Sequence, residues 1–293
     1  ESLQPLSRFG CLVAASCLLY TAGMVLNDVF DYEVDLRERP ERPLPSGRIT
    51  RPMATGLGWA MLLVGASVAW GGGVRSGCVA ACLAVAIVLY DVVLKTTWLG
   101  PLAMGSCRLL NVLLGMSLGA SADHELSIGF SADQWMVAGG IGVYIIGVTW
   151  FARSEARTSR QGPLVLGMGI MLAGIGLLAA FPLFRSPSAR LTFTSDIVWP
   201  CLLLLLMVSV FRRCAIAIAR PEPKQVQIAV KQSILIAERF QASFQRQYIV
   251  QSFQSISYFC THIGPHSYSV INIFQRSILI SIIYYFSGDR YRV

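Results

Sequence analysis

The amino-acid sequence predicts an all-α protein embedded in a membrane, and three observations support this class. Apolar residues make up 54% of the 293 residues, mean hydropathy is +0.58, and charged residues make up only 14%, whereas roughly 25% is usual in soluble domains. The apolar residues form separate runs that approach the ~20 residues a helix needs to cross a bilayer. Almost no strand-like alternation interrupts these runs, and helices satisfy their own backbone hydrogen bonds within lipid.

Seven apolar runs are predicted to be the membrane-spanning helices of a polytopic bundle. Their approximate ranges are 9–26, 53–73, 77–94, 99–119, 135–152, 164–184 and 196–212. The Gly71-Gly72-Gly73 segment predicts a turn after the second run. Many Gly, Ala and Ser residues lie within the runs, which favours close packing of the helices.

The net charge of the chain is +8. Successive connections between the runs lie on alternate sides of the membrane, and the basic residues are divided unevenly between these two sides. One side carries thirteen Lys and Arg residues, and the other carries four, namely Arg8, Arg75, Arg185 and Arg190. Such an excess is typical of cytoplasmic loops, so the basic side is predicted to be cytoplasmic, in a bacterial inner membrane. Membrane topology therefore explains the charge, and no basic-aromatic pattern indicates a nucleic-acid partner.

The most informative segment follows the first apolar run. Each residue of a helix advances about 100°, so Asn27, Asp31 and Asp35 stack at i, i+4 and i+8, with Asp28 beside them. Glu33 points to the other side. Like charges on one face repel unless a cation lies between them, and carboxylate and amide oxygens suit a hard divalent ion. The segment therefore predicts a Mg²⁺ site.

Further polar side chains lie within or beside the apolar runs, where they are costly and usually functional. They are Tyr90 and Lys95 at the end of the third run, Arg108 and Asn111 in the fourth, and Arg153, Glu155 and Arg157 after the fifth. Most are predicted to lie on the same side as the carboxylates. Carboxylates with a metal, surrounded by Arg, Lys and Tyr, form a receptor for a diphosphate, and apolar walls would hold a hydrocarbon tail.

These motifs resemble a known family. Asn27-Asp28-x-x-Asp31-x-x-x-Asp35, followed by Arg42-Pro43-Leu44-Pro45-Ser46-Gly47, resembles the first signature of the UbiA superfamily of intramembrane prenyltransferases. The Tyr90 to Lys95 and Arg108-x-x-Asn111 elements look like the third and fourth helices of that family. The resemblance runs from about residue 10 to about residue 235, and the patterns at Tyr90–Gly115 and Trp150–Glu155 are similar to the UbiA-like branch encoded in Ebo-type gene clusters.

The resemblance implies nine transmembrane helices around a central cavity, and transfer of a prenyl group from a polyprenyl diphosphate to an aromatic or lipidic acceptor within the membrane. Asp28, Asp31 and Asp35 would be catalytic and, with Asn27, would hold Mg²⁺. The implied substrate-binding residues are Asn27, Arg42, Tyr90, Lys95, Arg108, Asn111, Arg153, Glu155 and Arg157.

The sequence departs from the family pattern in three places. The usual second Asp-x-x-x-Asp motif is replaced by Arg153–Arg160, which has Glu155 as its one carboxylate, so the arginines are expected to bind phosphate directly in place of a second Mg²⁺. The first helix of the family, which lies before the helix that carries the acidic motif, is expected to be missing, and the expected last helix is altered. A bundle open on two faces is expected to be unstable or inactive.

The resemblance ends where the composition changes. The chain is therefore expected to consist of a UbiA-like domain, 1–235, truncated at its N-terminus, and an anomalous tail, 236–293. Ser, Gln, Phe, Tyr and Ile replace the Leu, Ala, Val and Gly of the preceding runs, and Leu279 is the one leucine of the tail. Either an altered reading frame (or a junction) or a divergent tail explains the change.

Simpler interpretations stay open at this point. The acidic residues fit a solvated helix end paired with nearby arginines, Tyr90 and Lys95 fit interfacial anchors, and Arg108 and Asn111 fit interhelical contacts. A CDP-alcohol phosphotransferase also uses spaced aspartates, but its Gly-x-x-Ala-Arg segment is replaced after Asp31 by Tyr32-Glu33-Val34. The alternative outside enzymes is a membrane protein that binds an isoprenoid lipid or assists its export.

Overall fold

The computed structural model describes residues 4–118, 129–153, 161–180 and 198–236, and within these ranges the secondary structure is helical, with no strand. The helices are α1 (Gln4–Phe30), α2 (Tyr32–Glu38), α3 (Arg51–Ala69), α4 (Val74–Val92), α5 (Gly100–Met116), α6 (Ala132–Ala152), α7 (Gln161–Ala180) and α8 (Val198–Ala219). Residues 223–236 are also helical. The predicted tail beyond residue 236 lies outside the described residues, as do Glu155 and Arg157.

The predicted all-α membrane class is confirmed. Each of the seven apolar runs coincides with a helix, namely α1, α3, α4, α5, α6, α7 and α8. Within the described residues, five helical stretches are long and apolar enough to cross a membrane: Ser7–Phe30, Arg51–Gly72, Val74–Val92, Ala132–Ala152 and Gln161–Ala180. Helix α5 is shorter, at 17 residues, and α8 carries the charged Arg212-Arg213 pair.

Helix α1 packs against α3 and the turn that follows it, through leucines of α1 and glycines of the facing segment that each repeat every seven residues. A Cβ atom at Gly58 would lie 2.8 Å from Leu26 Cδ2, one at Gly65 would lie 3.1 Å from Leu19 Cγ, and one at Gly72 would lie 2.8 Å from Leu12 Cδ2. The three leucines are at most 3% exposed. Small residues that admit a neighbouring helix closely are typical of membrane bundles, so this seam fixes α1 against α3.

The predicted glycine turn joins α3 to α4. A 3-10 turn at Trp70–Gly72 ends at Gly73, whose φ of +126° lies in a region that favours glycine. The chain reverses there, and α4 begins at Val74. This short connection brings the other end of α4 back to the level of the acidic segment.

Helices α6 and α7 form a second close pair. A Cβ atom at Gly147 would lie 2.5 Å from the backbone nitrogen of Met171, and one at Gly174 would lie 2.5 Å from that of Tyr144. Helix α5 approaches α6 at Gly105, whose added Cβ would lie 2.7 Å from Gly142 O. Helix α4 in turn packs on α5 and α1. The helices that carry the polar residues are therefore connected by direct packing.

Candidate functional site

The acidic segment lies where α1 ends and α2 begins. Asp31 interrupts the helix, but its N–H donates to Asn27 O at 2.9 Å and its carbonyl accepts from the N–H of Asp35 at 2.8 Å. Helical hydrogen bonding therefore continues through the break. Asn27, Asp31 and Asp35 keep the i, i+4, i+8 spacing that the sequence predicts.

Arg42 connects two of the carboxylates. Its Nη1 lies 2.7 Å from Asp35 Oδ2 and 3.3 Å from Asp28 Oδ1. Asp35 is 5% exposed, so this hydrogen bond satisfies a buried charge. Asp28 and Asp35 lie on successive helices, and one guanidinium therefore brings them together.

The Arg42–Gly47 segment is positioned by its own local structure. Leu44 packs with Val29 and Ala54 in a small apolar cluster. The N–H of Ser46 donates to Arg42 O at 2.9 Å, and Gly47 has a φ of +75°, which glycine adopts without steric cost. The connection between α2 and α3 is thereby folded back over the end of α1.

Lys95 compensates the third carboxylate. It lies in a 3-10 turn, Leu94–Thr96, after α4, and its Nζ is 2.5 Å from Asp31 Oδ1. The ammonium is buried and donates no hydrogen bond of normal geometry to a described residue, so its contact with Asp31 is an ion pair. An ammonium has three donors, so the contact with Asp31 leaves further donors at this nitrogen.

Asp91 is a further acidic residue beside this ion pair, and the sequence analysis does not single it out. Its side chain is 3% exposed, and Oδ2 has no hydrogen-bond partner among the described residues. It interacts electrostatically with Lys95 and Asp31. Tyr90, which is half-buried, interacts in the same way with Asp91 and Asp31. The available signal in the sequence was a carboxylate inside an apolar run beside Tyr90.

Arg153 ends α6 and contacts the connection that carries Lys95. Its Nη2 donates to Lys95 O at 3.1 Å and also to Thr97 O. A Cβ atom at Gly100 would lie 2.6 Å from the same Nη2 and 2.8 Å from the backbone oxygen of Leu94, so a larger residue would press on the backbone as well as on the guanidinium. Arg153 therefore holds the backbone of the connection between α4 and α5 beside the site.

Arg108 and Asn111 lie away from the carboxylates and contact α1. Ser16 Oγ donates to Asn111 Oδ1 at 2.8 Å, and Arg108 Cζ lies 5.0 Å from the centre of the Tyr20 ring. At the rise of a helix, Tyr20 is about 10 Å along α1 from Asn27. Arg108 and Asn111 therefore lie at a different height along α1 from the carboxylates.

In the described part of the chain, the three carboxylates of the acidic segment are paired with two cations, Arg42 and Lys95. No group of three or more His, Cys, Asp or Glu side chains is arranged there to hold a metal ion. Arg42 lies between Asp28 and Asp35, and Lys95 lies against Asp31. The donors themselves, carboxylate and amide oxygens, fit Mg²⁺. Glu33 lies apart and pairs with Arg51 at 3.7 Å, as expected of a residue outside the acidic face.

Apolar helices with an acidic, cation-paired cluster at the end of α1 define a membrane-embedded protein with a polar site. The model of the UbiA prenyltransferase family matches residues 1–235. The chain belongs to this family, which confirms the resemblance predicted from the acidic segment.

Relatives of the chain agree with this assignment. It is 30% identical over 233 residues to the digeranylgeranylglyceryl phosphate synthase of Methanothermobacter thermautotrophicus, covering 77% of this chain and 80% of that protein. It is 36% identical over 103 residues to the enzyme of that name from Ignicoccus hospitalis, covering 35% of this chain and 34% of the other. A solved structure from a study of digeranylgeranylglyceryl phosphate synthase in membranes matches with a TM-score of 0.55 at 16% identity, covering 85% of this chain and 92% of that chain, which shows the shared fold.

Proposed function

We propose that the chain transfers a prenyl group from a polyprenyl diphosphate to a lipid acceptor within the membrane, in a Mg²⁺-dependent reaction. The observation that carries this proposal is the convergence of Asp28, Asp31 and Asp35 with Arg42 and Lys95 at the end of an apolar helix. Carboxylates that can bind a divalent ion, beside cations that can bind phosphate oxygens, form a diphosphate receptor. We place this end of the bundle on the cytoplasmic side because the basic residues gather there.

Asn27, Asp28, Asp31 and Asp35 would hold the metal, since their oxygens are the ligands that Mg²⁺ prefers. When bound, Mg²⁺ would supply positive charge to the diphosphate oxygens. The ion pairs of Arg42 and Lys95 with these carboxylates would then exchange for contacts with phosphate. The buried Lys95 Nζ, which lacks a directed hydrogen bond to a described residue, is suited to that exchange.

The reaction requires heterolysis of the allylic C–O bond of the donor. Both electrons leave with the diphosphate, and the resulting allylic cation is attacked by the nucleophilic atom of the acceptor, which then loses its proton to the released diphosphate. Arg42, Lys95 and Tyr90 would stabilise the negative charge that develops on the leaving group. Preorganised cations in a site with little water are effective in this role.

The face of α1 below the acidic segment is suited to a hydrocarbon chain. Tyr20 and Met24 fall within about 60° of Asn27 and Asp31 on the helical wheel, and they are 41% and 55% exposed. The exposed apolar stripe therefore continues directly from the polar site. Because the relatives are digeranylgeranylglyceryl phosphate synthases, we propose a geranylgeranyl donor and a lipidic rather than aromatic acceptor.

Turnover tests this proposal and distinguishes it from a lipid-binding or export-assisting role. Membranes that contain the protein would be incubated with labelled geranylgeranyl diphosphate, Mg²⁺ and a panel of lipid acceptors, and diphosphate release would be measured. We expect release by the unaltered protein, loss of release in Asp31→Asn, and retention in the neighbouring control Glu33→Gln. Binding of the diphosphate without release under any acceptor would favour the non-enzymatic role.

A further inference from the structure

The carboxylate of Asp91 is buried near the end of α4 with one oxygen unpaired. The residue is 3% exposed, and its Oδ2 accepts no hydrogen bond from a described residue. A buried carboxylate without a donor is costly, and the cost is greater in a helix that is long and apolar enough to cross a membrane. The position therefore calls for a cation or a donor.

Lys95 is the cation that interacts with this carboxylate. It follows Asp91 by four residues, across the end of α4, and the two groups interact electrostatically. The other ionisable groups in the described part of the chain that interact with Asp91 are Asp31, Tyr90 and Cys107, and none of these types carries positive charge. Nevertheless, none of the ion pairs among the described residues joins Lys95 to Asp91.

Two carboxylates therefore share one ammonium. Asp31, at the break between α1 and α2, has Lys95 Nζ at 2.5 Å, whereas Asp91 on α4 lacks such a contact. A lysine ammonium is a compact charge at the end of a flexible stem, and it has three donors. Rotation of this stem can carry Nζ from Asp31 toward Asp91 while the ammonium stays at the site.

We propose that Asp91 is a positioning residue for Lys95, which receives the ammonium when a divalent cation takes Asp31 and keeps it beside the diphosphate. The inference rests on the proposed function, because it assigns the partner of Lys95 in the metal-loaded site. One donor of Nζ then pairs with Asp91 Oδ2, and the other donors are left for phosphate oxygens. Without Asp91, the ammonium would leave Asp31 only as an unpaired buried charge, so it would stay there and oppose the metal.

Thermal unfolding without metal tests whether the two carboxylates share Lys95. The protein in detergent with EDTA would be compared with Asp31→Asn, Asp91→Asn, the double variant, and each of these combined with Lys95→Met. We expect each single variant to lower the midpoint by at most about 3 °C, because Lys95 keeps one carboxylate, and the double variant to lower it by at least about 8 °C, because the ammonium is then buried without a partner. Lys95→Met should remove this excess loss.

Mg²⁺ affinity tests what this sharing does for the site. In isothermal titration with Mg²⁺ alone, Asp91→Asn is expected to weaken binding at least about fivefold in the unaltered protein and less than about twofold when Lys95→Met is already present. Asp91→Glu should retain part of the affinity. Glu33→Gln is the control for lost negative charge, since it removes an exposed carboxylate that pairs with Arg51, and it should bind Mg²⁺ as the unaltered protein does.

Two outcomes would overturn the inference. The first is an additive midpoint loss in the double variant, or an excess loss or failure to fold that Lys95→Met does not restore. The second is an equal weakening of Mg²⁺ binding by Asp91→Asn with and without Lys95, which would show that Asp91 does not act through Lys95. If the unaltered protein bound no Mg²⁺ while the double variant showed the excess loss, the pairing of Asp91 with Lys95 would be supported and the failure would belong to the proposed function.

Discussion

Lys95 Nζ lies 2.5 Å from Asp31 Oδ1, and this ion pair joins the α4–α5 connection to the break between α1 and α2. The two residues are far apart in sequence, and each is at the end of an apolar helix. Without a ligand, the pair holds together the two elements that a diphosphate would bridge. A ligand that takes Lys95 must therefore compete with Asp31, unless a divalent cation takes Asp31 at the same time.

Lys95→Met is expected to lower kcat/KM for geranylgeranyl diphosphate roughly 100-fold, equivalent to about 2.7 kcal/mol of transition-state stabilisation. The loss arises because a buried cation at the leaving group is replaced by an apolar side chain. Steady-state kinetics in proteoliposomes would measure it, with the exposed Lys224→Met as control. A loss of the same size in Lys224→Met would show that the effect is one of overall charge.

Asp28→Ala and Asp35→Ala are each expected to abolish Mg²⁺-dependent binding of geranylgeranyl diphosphate while the protein remains inserted in the membrane. Both remove an oxygen ligand and release Arg42 from one of its partners. Isothermal titration with and without Mg²⁺ would measure the binding, and protease accessibility would verify insertion. If both variants bound the diphosphate as the unaltered protein does, the site would not be a metal–diphosphate receptor.

Arg153→Gln is expected to weaken diphosphate binding through Lys95, because Arg153 donates to the backbone carbonyl oxygens of Lys95 and Thr97. Residues that act through one another are not additive. A double-mutant cycle with Lys95→Met should therefore give a coupling of about 1 kcal/mol in binding free energy. Additive effects would instead indicate that Arg153 contacts the ligand independently.

Gly65→Leu is expected to destabilise the bundle by about 1–3 kcal/mol, because overpacking forces neighbouring side chains and backbone apart. Its Cβ atom alone would lie 3.1 Å from Leu19 Cγ. Gly56→Leu is the matched control on the same helix, since nothing lies within 4 Å of a Cβ atom there. Thermal unfolding of the purified proteins in detergent would compare the two, and equal midpoints would contradict the proposed seam.

The helices were predictable from the sequence because apolar runs of this length have one stable form in lipid. The register of Asn27, Asp31 and Asp35 was predictable because it depends on a single helical period. The role of Arg42 as a bridge between Asp28 and Asp35 was not, since it depends on how a loop folds back over another helix. The contacts of Arg108 with Tyr20 and of Asn111 with Ser16 depend on which helices are neighbours, which no local pattern specifies. The roles of Glu155 and Arg157, and the assignment to the Ebo-type branch, stay predictions.

The leucine–glycine seam between α1 and α3 has a consequence for the chemistry at the end of α1. A slide of α1 by one turn, about 5.4 Å, would move Leu12, Leu19 and Leu26 away from the gaps that Gly72, Gly65 and Gly58 provide. Axial movement of α1 is therefore sterically opposed at three levels at once. The carboxylates therefore keep a constant position relative to α3, and in the proposed reaction the diphosphate would have to be drawn to that position.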